Sequence, residues 1–160
     1  MVDKERIEKI IVDEFGDAVT IEEMNPPQAA IRINSEKIVP LFEFIASHPD
    51  LKLNYLSTIS GVDLGVEAAE IEIVYFVSSI EFKHKLTIKT RIARQGGRID
   101  TISTVLKGAN WYEREIWELF GVDFGGHPNL TRFLLPEDWD EGYPMLRDWQ
   151  GRNFERMPES

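Results

Sequence analysis

Two neighbouring stretches of the chain, EIEIVYFV at 70–77 and KLTIKTRIA at 85–93, alternate apolar with polar side chains. A period of two places successive side chains on opposite faces of a β-strand. The first stretch carries two glutamates and the second two lysines and an arginine, which favours ion pairs between adjacent strands on a solvated face. The two stretches therefore predict neighbouring strands of an antiparallel sheet that is covered on one side. An anion site is the alternative interpretation of the basic residues at 83–98.

Helical and strand patterns elsewhere complete the fold prediction. Apolar residues recur at helical spacing from Ile7 to Phe15, which predicts an amphipathic helix, with Asp3 as its cap and Gly16 at its end. The other predicted elements are strands at 19–24 and 29–33, a helix carrying Leu41, Phe44 and Ile45 with Pro40 in its first turn, a helix or strand at 55–59, a hairpin turn at 94–98 and a strand at 99–106. Together they predict an α+β fold: a single two-layer domain at 1–130 with a mixed, largely antiparallel sheet packed by helices.

Residues 109–130, ANWYEREIWELFGVDFGGHPNL, combine acids, a histidine and large aromatics in a third helical pattern. Asn110 followed by Glu113 is typical of a helix N-terminus. The apolar stripe of this helix consists of Tyr112, Ile116, Leu119 and Phe120. A core helix explains the stripe but not the two tryptophans outside it, Trp111 and Trp117, because tryptophan is enriched at protein interfaces.

A catalytic interpretation of the same stretch requires paired acid and base groups. The candidates are Glu115, Asp123 and His127, and they define a small freestanding acid–base enzyme as one alternative function. Two carboxylates are a weak signal in an acidic chain, and the sequence has no motif for a phosphate loop, a dinucleotide site or a serine nucleophile. A hydrogen-bonded structural role before Pro128 is the preferred interpretation of His127. An adaptor domain unrelated to redox chemistry is the other alternative.

Composition narrows the classes of function further. The chain has no cysteine, which excludes disulfides, cysteine nucleophiles and thiolate-held iron–sulfur clusters. Its three histidines are far apart and show no metal-ligand spacing. The net charge of −10 opposes binding to nucleic acid and to anionic lipid. No apolar run approaches the roughly 20 residues of a membrane span, and the N-terminus lacks a signal-peptide core, so we expect a soluble, non-exported chain.

Residues 108–149 closely resemble the signature region of the C subunit of NADH–quinone oxidoreductases (respiratory complex I) and of its counterparts in membrane-bound hydrogenases and archaeal electron-transfer complexes. The shared pattern is ERE, an aromatic, an acid, a hydrophobic run with FG, then GHP, a basic residue and a leucine-proline-acid sequence. Weaker agreement extends over 53–64 and 73–92. The family's usual PLRKD continuation is replaced by PMLRD at 144–148, which favours a shorter archaeal or hydrogenase-type relative. The positions that fit the pattern are Glu113, Arg114, Glu115, Trp117, Glu118, Phe120, Gly121, Gly126, His127, Pro128, Arg132, Leu135, Pro136 and Asp138.

The resemblance implies a cofactor-free, non-catalytic subunit of a membrane-associated, ion-translocating oxidoreductase. Such a subunit docks in the peripheral arm on the large, hydrogenase-like catalytic subunit, beside the small subunit that carries iron–sulfur clusters. We expect it on the cytoplasmic side of the membrane, with membrane contact only through the complex and with no nucleic-acid partner. The implied interface residues are Trp111, Glu113, Arg114, Glu115, Trp117, Glu118, Phe124, His127, Pro128, Arg132, Pro136, Asp138, Trp139, Tyr143, Arg147, Asp148 and Trp149.

The C-terminal arm at 131–160 is rich in large apolar side chains but has no helical or strand period. These side chains are Phe133, Leu134, Leu135, Trp139, Tyr143, Trp149 and Phe154. An irregular segment needs partners for its backbone groups, and exposed aromatics are a liability on a free monomer. We therefore expect an extended docking arm that becomes ordered against another subunit, with Pro136, Pro144 and Pro158 limiting the entropy lost on docking.

Overall fold

The computed structural model describes residues 3–151, so the end of the predicted arm, including Phe154 and Pro158, lies outside the described residues. The helices are α1 (Lys4–Phe15), α2 (Ile38–Ser47) and α3 (Ala109–Phe120), and short 3-10 turns lie at Gly16–Ala18 and Ser35–Lys37. The strands are β1 (Val19–Ile21), β2 (Ala29–Ile33), β3 (Tyr55–Asp63), β4 (Glu70–Ser78), β5 (Lys85–Ala93), β6 (Arg98–Asp100) and β7 (Asp123–Gly125). Helices and strands are thus interspersed along the chain.

The strands form one five-stranded sheet and a separate pair. In the large sheet the order is β1-β2-β5-β4-β3. Strands β2 and β5 run parallel, and the other neighbours run antiparallel. Strands β6 and β7 form the small parallel pair, while α1 packs beside β1 and β2 and α3 packs beside β3. The predicted α+β class with a mixed, largely antiparallel sheet is confirmed.

One face of the large sheet is covered and holds much of the core. The register places Ile73 opposite Thr90 and Tyr75 opposite Ile88, and all four side chains are buried. Ile31 of β2 lies next to Ile88 on the same face and is also buried. The alternation predicted for β4 and β5 is confirmed, and burial of these apolar side chains is what stabilises the sheet.

The opposite face of the sheet carries the predicted ion pairs. Glu72 lies opposite Arg91, whose Nε donates to the Glu72 carboxylate at 3.1 Å. Arg32 of β2 reaches the same carboxylate at 3.1 Å, and Lys89 pairs with Glu22 at 3.2 Å. Because these basic side chains already have acidic partners within the chain, the structure favours a charged sheet face over an anion site.

The elements at the N-terminal end agree with the sequence patterns. Asp3 Oδ1 accepts a hydrogen bond from the N–H of Arg6 at 2.9 Å, as expected of a helix cap. Helix α2 contains Pro40 in its first turn and ends before His48. The segment at 55–59, for which helix and strand were both open, belongs to strand β3.

The strand predicted at 99–106 is wrong beyond Asp100, where β6 ends. Strand β6 pairs in parallel with β7 rather than in a hairpin with β5. The residues that follow form turns, because the hydroxyl of Thr101 and the N–H of Ile102 donate to the carboxylate of Glu113 in α3. An acid distant in the sequence therefore overrides the local strand pattern.

Two predicted boundaries also change. Strand β1 ends at Ile21, short of its predicted end, and the prolines of the following 25–27 turn lack the N–H groups that a strand ladder needs. Helix α3 begins at Ala109 with Gly108 in the capping position and no side-chain cap. The prediction that Asn110 caps this helix is wrong, since it lies within the first turn.

Candidate docking site on helix α3

Helix α3 is fixed against the edge of the large sheet. The ring of Phe120 lies over Gly61 of β3, where a Cβ atom would come within 3.0 Å of the ring. Ile116 is buried, and the hydroxyl of Tyr112 donates to the carbonyl of Ser57 at 3.0 Å. The predicted apolar stripe of the helix therefore packs on β3, and Trp111 and Glu115 are the exposed residues of the helix.

The first glutamate of the ERE sequence, Glu113, is fully buried. The N–H of Ile102 donates to its Oε1 at 2.8 Å, and the hydroxyl of Thr101 donates to its Oε2. Burial nevertheless raises the pKa of Glu113 to about 7, because removal from water disfavours the charged carboxylate. Through its bonds to Thr101 and Ile102, Glu113 connects the turn after β6 to α3. The hydroxyl of Tyr75 is also buried, without a hydrogen-bond partner among residues 3–151.

His127 borders this buried cluster. Its Nδ1 accepts from the N–H of Asn129 at 3.0 Å, so Nε2 carries the proton and lies 3.1 Å from the carbonyl of Asn110. The same Nε2 is 3.8 Å from Oε2 of Glu113. Burial lowers the pKa of His127, which favours the neutral ring. The predicted hydrogen-bonded structural role of His127 is confirmed, because the ring joins α3 to the loop that follows β7.

Arg114 ties the beginning of the arm to α3. Its Nε donates to the carbonyl of Thr131 and its Nη2 to the Thr131 hydroxyl, both at 2.9 Å. Its guanidinium carbon lies 4.5 Å from the ring centroid of Trp111 and 4.9 Å from that of Phe133. Cation–π attraction therefore adds to the hydrogen bonds. We call Trp111, Arg114 and Phe133 the aromatic stack, and its conformation is set by contacts within this chain.

Glu118 holds the next three residues of the arm. Its carboxylate accepts from the N–H groups of Phe133, Leu134 and Leu135, the shortest of these bonds being 2.8 Å to Leu135. Hydrogen bonds to an ionised acceptor are stronger than neutral ones, and these three satisfy backbone donors in a segment without regular structure. Glu118 is itself buried, so the arm is attached to α3 by an acid and a base four residues apart.

A further attachment lies near the end of the described arm. The carboxylate of Asp63, at the end of β3, accepts from Nε of Arg94 and from the N–H of Arg147, both at 2.8 Å. Arg94 also binds Asp148. The hydrogen bonds from the Arg94 guanidinium lower the pKa of both carboxyl groups. The arm is therefore attached to its own chain at α3 and at β3.

The arm also packs on itself and on the end of α3. The rings of Trp139 and Trp149 are stacked with centroids 6.0 Å apart. The ring of Tyr143 covers Gly121, which ends α3 with a φ of 80° and where a Cβ would lie 2.5 Å from that ring. The expectation was that the arm becomes ordered against another subunit, whereas the structure gives its described part several contacts with its own chain.

The predicted interface residues fall into three groups by exposure. The buried ones are Glu113, Arg114, Glu118, Phe124 and the ring of His127. The half-buried ones are Trp117, Trp139 and Trp149, and the exposed ones are Trp111, Glu115, Pro128, Arg132, Pro136, Asp138, Tyr143, Arg147 and Asp148. In this chain the exposed and half-buried side chains are accessible to a partner, while the buried ones hold the surrounding segments in place.

Two parts of this region were not predicted as interface residues. Glu118 binds the backbone of Phe133 and Leu134, the ring centroid of Phe133 lies 5.2 Å from that of Trp111, and Leu134 is 52% exposed. No period in the sequence indicates that contact. The pair of Asp63 and Arg94 was not predicted either, because the two residues lie 31 positions apart in the sequence. We call the exposed side of α3 and the adjacent arm, formed by Trp111, Glu115, Phe133 and Leu134, the α3 surface.

The alternative catalytic residues are not brought together. The carboxylate of Asp123 lies 3.3 Å from Nη1 of Arg98, Glu115 is exposed in a groove beside β3, and His127 is bound to a backbone carbonyl. Within the described part of the chain, no three potential metal ligands are grouped so that they could hold an ion. The arrangement suits a surface for attachment better than an acid–base site.

Comparison with known proteins agrees with the resemblance noted in the sequence. The respiratory-chain NADH dehydrogenase 30 kDa subunit family matches residues 31–155. The chain belongs to this family. The NADH-quinone oxidoreductase C subunit of Chlorobium phaeobacteroides is 36% identical over 143 residues, which cover 88% of this chain and 85% of that protein. The C/D protein of the NADH-quinone oxidoreductase of Erwinia tasmaniensis is 32% identical over 90% of this chain, which spans only 25% of that longer protein.

Two solved structures share the fold of this 30 kDa subunit family member. A chain of the membrane-bound sulfane sulfur reductase, an archaeal respiratory membrane complex, superposes with a TM-score of 0.75 at 25% identity, covering 91% of this chain and 85% of that one. A trypsin-resistant fragment of Nqo5 superposes with a TM-score of 0.63 at 22% identity, covering 78% and 98%. The chain is thus a member of a family found in multisubunit respiratory complexes.

None of the helices within residues 3–151 is long and apolar enough to cross a membrane.

Proposed function

We propose that this chain is a structural subunit that docks on the large catalytic subunit of a complex I-like, ion-translocating oxidoreductase. The observation that carries the proposal is that some side chains of α3 bind this chain while others are exposed. Glu113, Arg114 and Glu118 bind segments of the same chain, while Trp111 and Glu115 are exposed on the same rigid helix. Exposed aromatics held in one conformation are typical of interface hot spots, because little side-chain entropy is lost when they bind.

The longer relatives support the large subunit as the partner. In the Erwinia C/D protein, the part similar to this chain is 25% of the length. Two subunits joined in one chain are held at high effective concentration, which favours their contact. We take the longer remainder, the D part of that protein, as the large catalytic subunit. The likeness to a chain of an archaeal respiratory membrane complex supports a parent complex of this class.

The proposed role is non-catalytic and needs no cofactor in this chain. A chain without cysteine offers no thiolate for an iron–sulfur cluster. We therefore assign the clusters to neighbouring subunits, among them the small subunit beside the large one. We place the chain in the peripheral arm on the cytoplasmic side of the membrane, where its contribution is to hold the catalytic subunits in a fixed arrangement.

Binding to the purified large subunit tests the proposal. Trp111→Ala and Glu115→Lys should each weaken binding by roughly 30-fold, the equivalent of about 2 kcal/mol at a hot spot. Glu115→Lys should not change the melting temperature, because the side chain is exposed. Trp111→Ala also removes contacts with Arg114 and Phe133, which should lower the free energy of unfolding by no more than about 1 kcal/mol. Binding can be measured by titration calorimetry and folding by circular dichroism on the same preparations.

Two control variants separate docking from folding. Ile80→Ala removes an equally exposed side chain outside the α3 surface and should bind like the unsubstituted chain. Ile116→Ala removes a buried side chain and should lower the free energy of unfolding by about 2–5 kcal/mol. If Trp111→Ala and Glu115→Lys bind normally, or lose binding only to the extent that they unfold, the proposal is wrong.

A further inference from the structure

The two edge strands of the large sheet differ in how open they are. Strand β1 has three residues and β3 has nine, and within residues 3–151 no strand pairs with the outer side of β3. Proteins usually protect exposed edges by short strands, bulges, prolines or charged residues. Strand β3 is irregular only between Leu56 and Thr58, and the stretch at 58–63 contains no proline and no lysine. Its one charged residue, Asp63, is buried and paired with Arg94, so the stretch offers a regular, open edge.

The hydrogen-bond pattern shows which backbone groups point to the open side. The N–H of Leu64 donates to the carbonyl of Glu70 at 3.1 Å. Opposite residues of an antiparallel pair alternate between bonded and non-bonded positions, so Val62 and Ser60 are the next residues bonded to β4. The residues whose N–H and C=O groups face outward are Ile59, Gly61 and Asp63. No backbone group elsewhere in the described chain binds these outward groups.

A groove of about 250 Å³ runs beside this edge. One wall is the β3 segment at 58–61, and the other is α3, where Tyr112 and Leu119 supply apolar surface. Met145 of the arm also lines the groove. A groove between an edge strand and a helix can bind an extended peptide as an added strand. Every second side chain of that peptide then packs against the helix.

Glu115 is the charged side chain of this groove. Its side chain is exposed, and its carboxylate makes no ion pair or hydrogen bond within residues 3–151. Glu113 and Glu118 on the same helix are both bound by groups of this chain. A basic side chain of a partner is the group that would complement Glu115, and the net charge of −10 attracts a basic segment from a distance.

We propose that an extended segment of the large catalytic subunit adds a strand to the outer edge of β3, with a basic side chain opposite Glu115. The inference rests on the proposed function and names the backbone groups that the large subunit binds. Main-chain hydrogen bonds to Ile59, Gly61 and Asp63 supply affinity that does not depend on partner sequence, and the helix wall supplies selectivity. Glu115 belongs both to this groove and to the α3 surface, so the two form one continuous interface.

Hydrogen exchange at single residues tests the added strand. In the free chain, the amides of Ile59, Gly61 and Asp63 should exchange quickly, while the amides bonded to β4 exchange slowly and serve as the internal control. In the complex with the large subunit, the three outward amides should slow by at least about tenfold. If the complex forms and these amides keep their free rates, the added strand is wrong while the docking proposal stands. If no complex forms, the docking proposal itself is wrong.

Cross-linking identifies what occupies the edge. Because the chain has no cysteine, Ser60→Cys introduces a single thiol for a photo-cross-linker next to the outward groups. Thr20→Cys on β1, at the opposite edge of the sheet, is the matched control. We expect Ser60→Cys in the intact complex to cross-link to a lysine- or arginine-containing segment of the large subunit and Thr20→Cys not to reach that segment. A cross-link from Ser60→Cys to a second copy of this chain, or to any other subunit, overturns the inference.

Discussion

Three glutamates within six positions of α3 have three different surroundings. Glu113 is buried and binds the turn after β6, Glu118 is buried and binds the arm, and Glu115 meets solvent. At about 100° per residue, the helix turns each of them toward a different part of the molecule. The same residue type therefore serves as an internal tether at two positions and as an accessible charge at the third.

The buried carboxyl of Glu113 predicts a pH-dependent stability. Its pKa of about 7 in the folded chain lies above the value of about 4.3 for an unfolded glutamate. Its contribution is therefore fully present below about pH 4 and is lost as the pH rises through 7. Relative to Glu113→Gln, the unsubstituted chain should lose roughly 3 kcal/mol of unfolding free energy between pH 4 and pH 8. Urea unfolding at several pH values measures this difference.

In the comparison with Glu113→Gln, the other titratable groups are present in both proteins, so their effects on the unfolding free energy cancel. His127 lies 3.8 Å from Glu113 and has a lowered pKa, but its ring is present in both proteins. Tyr75, which faces the same buried cluster, has a pKa raised well above its usual value by burial and stays neutral over this range. Parallel stability curves for the two proteins would show that Glu113 is not held protonated by its surroundings.

Sequence patterns predicted the direction of the α3 side chains only relative to the helix itself. The apolar stripe was predicted correctly from helical spacing, and so was the structural role of His127. The burial of Glu113 and Glu118 could not be predicted, because the groups covering them come from Thr101 and from the arm at 133–135. The pattern at 99–106 predicts a strand rather than the turn that Glu113 binds, and the arm has no period.

At the scale of elements, the patterns succeeded where an element is stabilised by its own alternation. Strands β4 and β5 pair in an antiparallel ladder with apolar residues on the covered face. The prediction failed at 99–106, where the side chain of Glu113 in α3 accepts from the N–H of Ile102. The conformation of the arm was also beyond the sequence, because its attachments are isolated polar contacts that bridge as many as 84 positions between Asp63 and Arg147.

The attachments of the arm predict a measurable contribution to stability. Truncation after Asp140 removes Tyr143 from its place over Gly121 and removes the contacts that Arg147 and Asp148 make near Asp63. An arm that becomes ordered only against another subunit would leave the melting temperature nearly unchanged. From the structure we expect a loss of about 2 kcal/mol or a fall of roughly 4–8 °C, measured by calorimetry.

Truncation after Gly151 is the matched control for the arm, because it keeps the contacts that Tyr143, Arg147 and Asp148 make with Gly121, Asp63 and Arg94. It should melt at a higher temperature than the chain truncated after Asp140. If the two truncated chains melt at the same temperature, these contacts do not stabilise the free chain.

At the scale of the whole molecule, the α3 surface and the outer edge of β3 lie next to each other. The open face of the large sheet has its charges paired within the chain, and the core face is covered. The α3 surface and the outer edge of β3 remain, and they meet at the groove that contains Glu115. In the role that we propose, the chain holds its neighbours in position through these two features.

Native mass spectrometry of the complex recovered from membranes with a tagged copy of this chain tests the central claim most directly. We predict one copy of this chain with one copy of a hydrogenase-like large subunit, and iron–sulfur mass that leaves only with other subunits when the complex is dissociated. The chain released in that experiment should have the mass of its polypeptide alone. Recovery of the chain by itself or as a homo-oligomer, or of a flavin or iron bound to the released chain, would contradict the account.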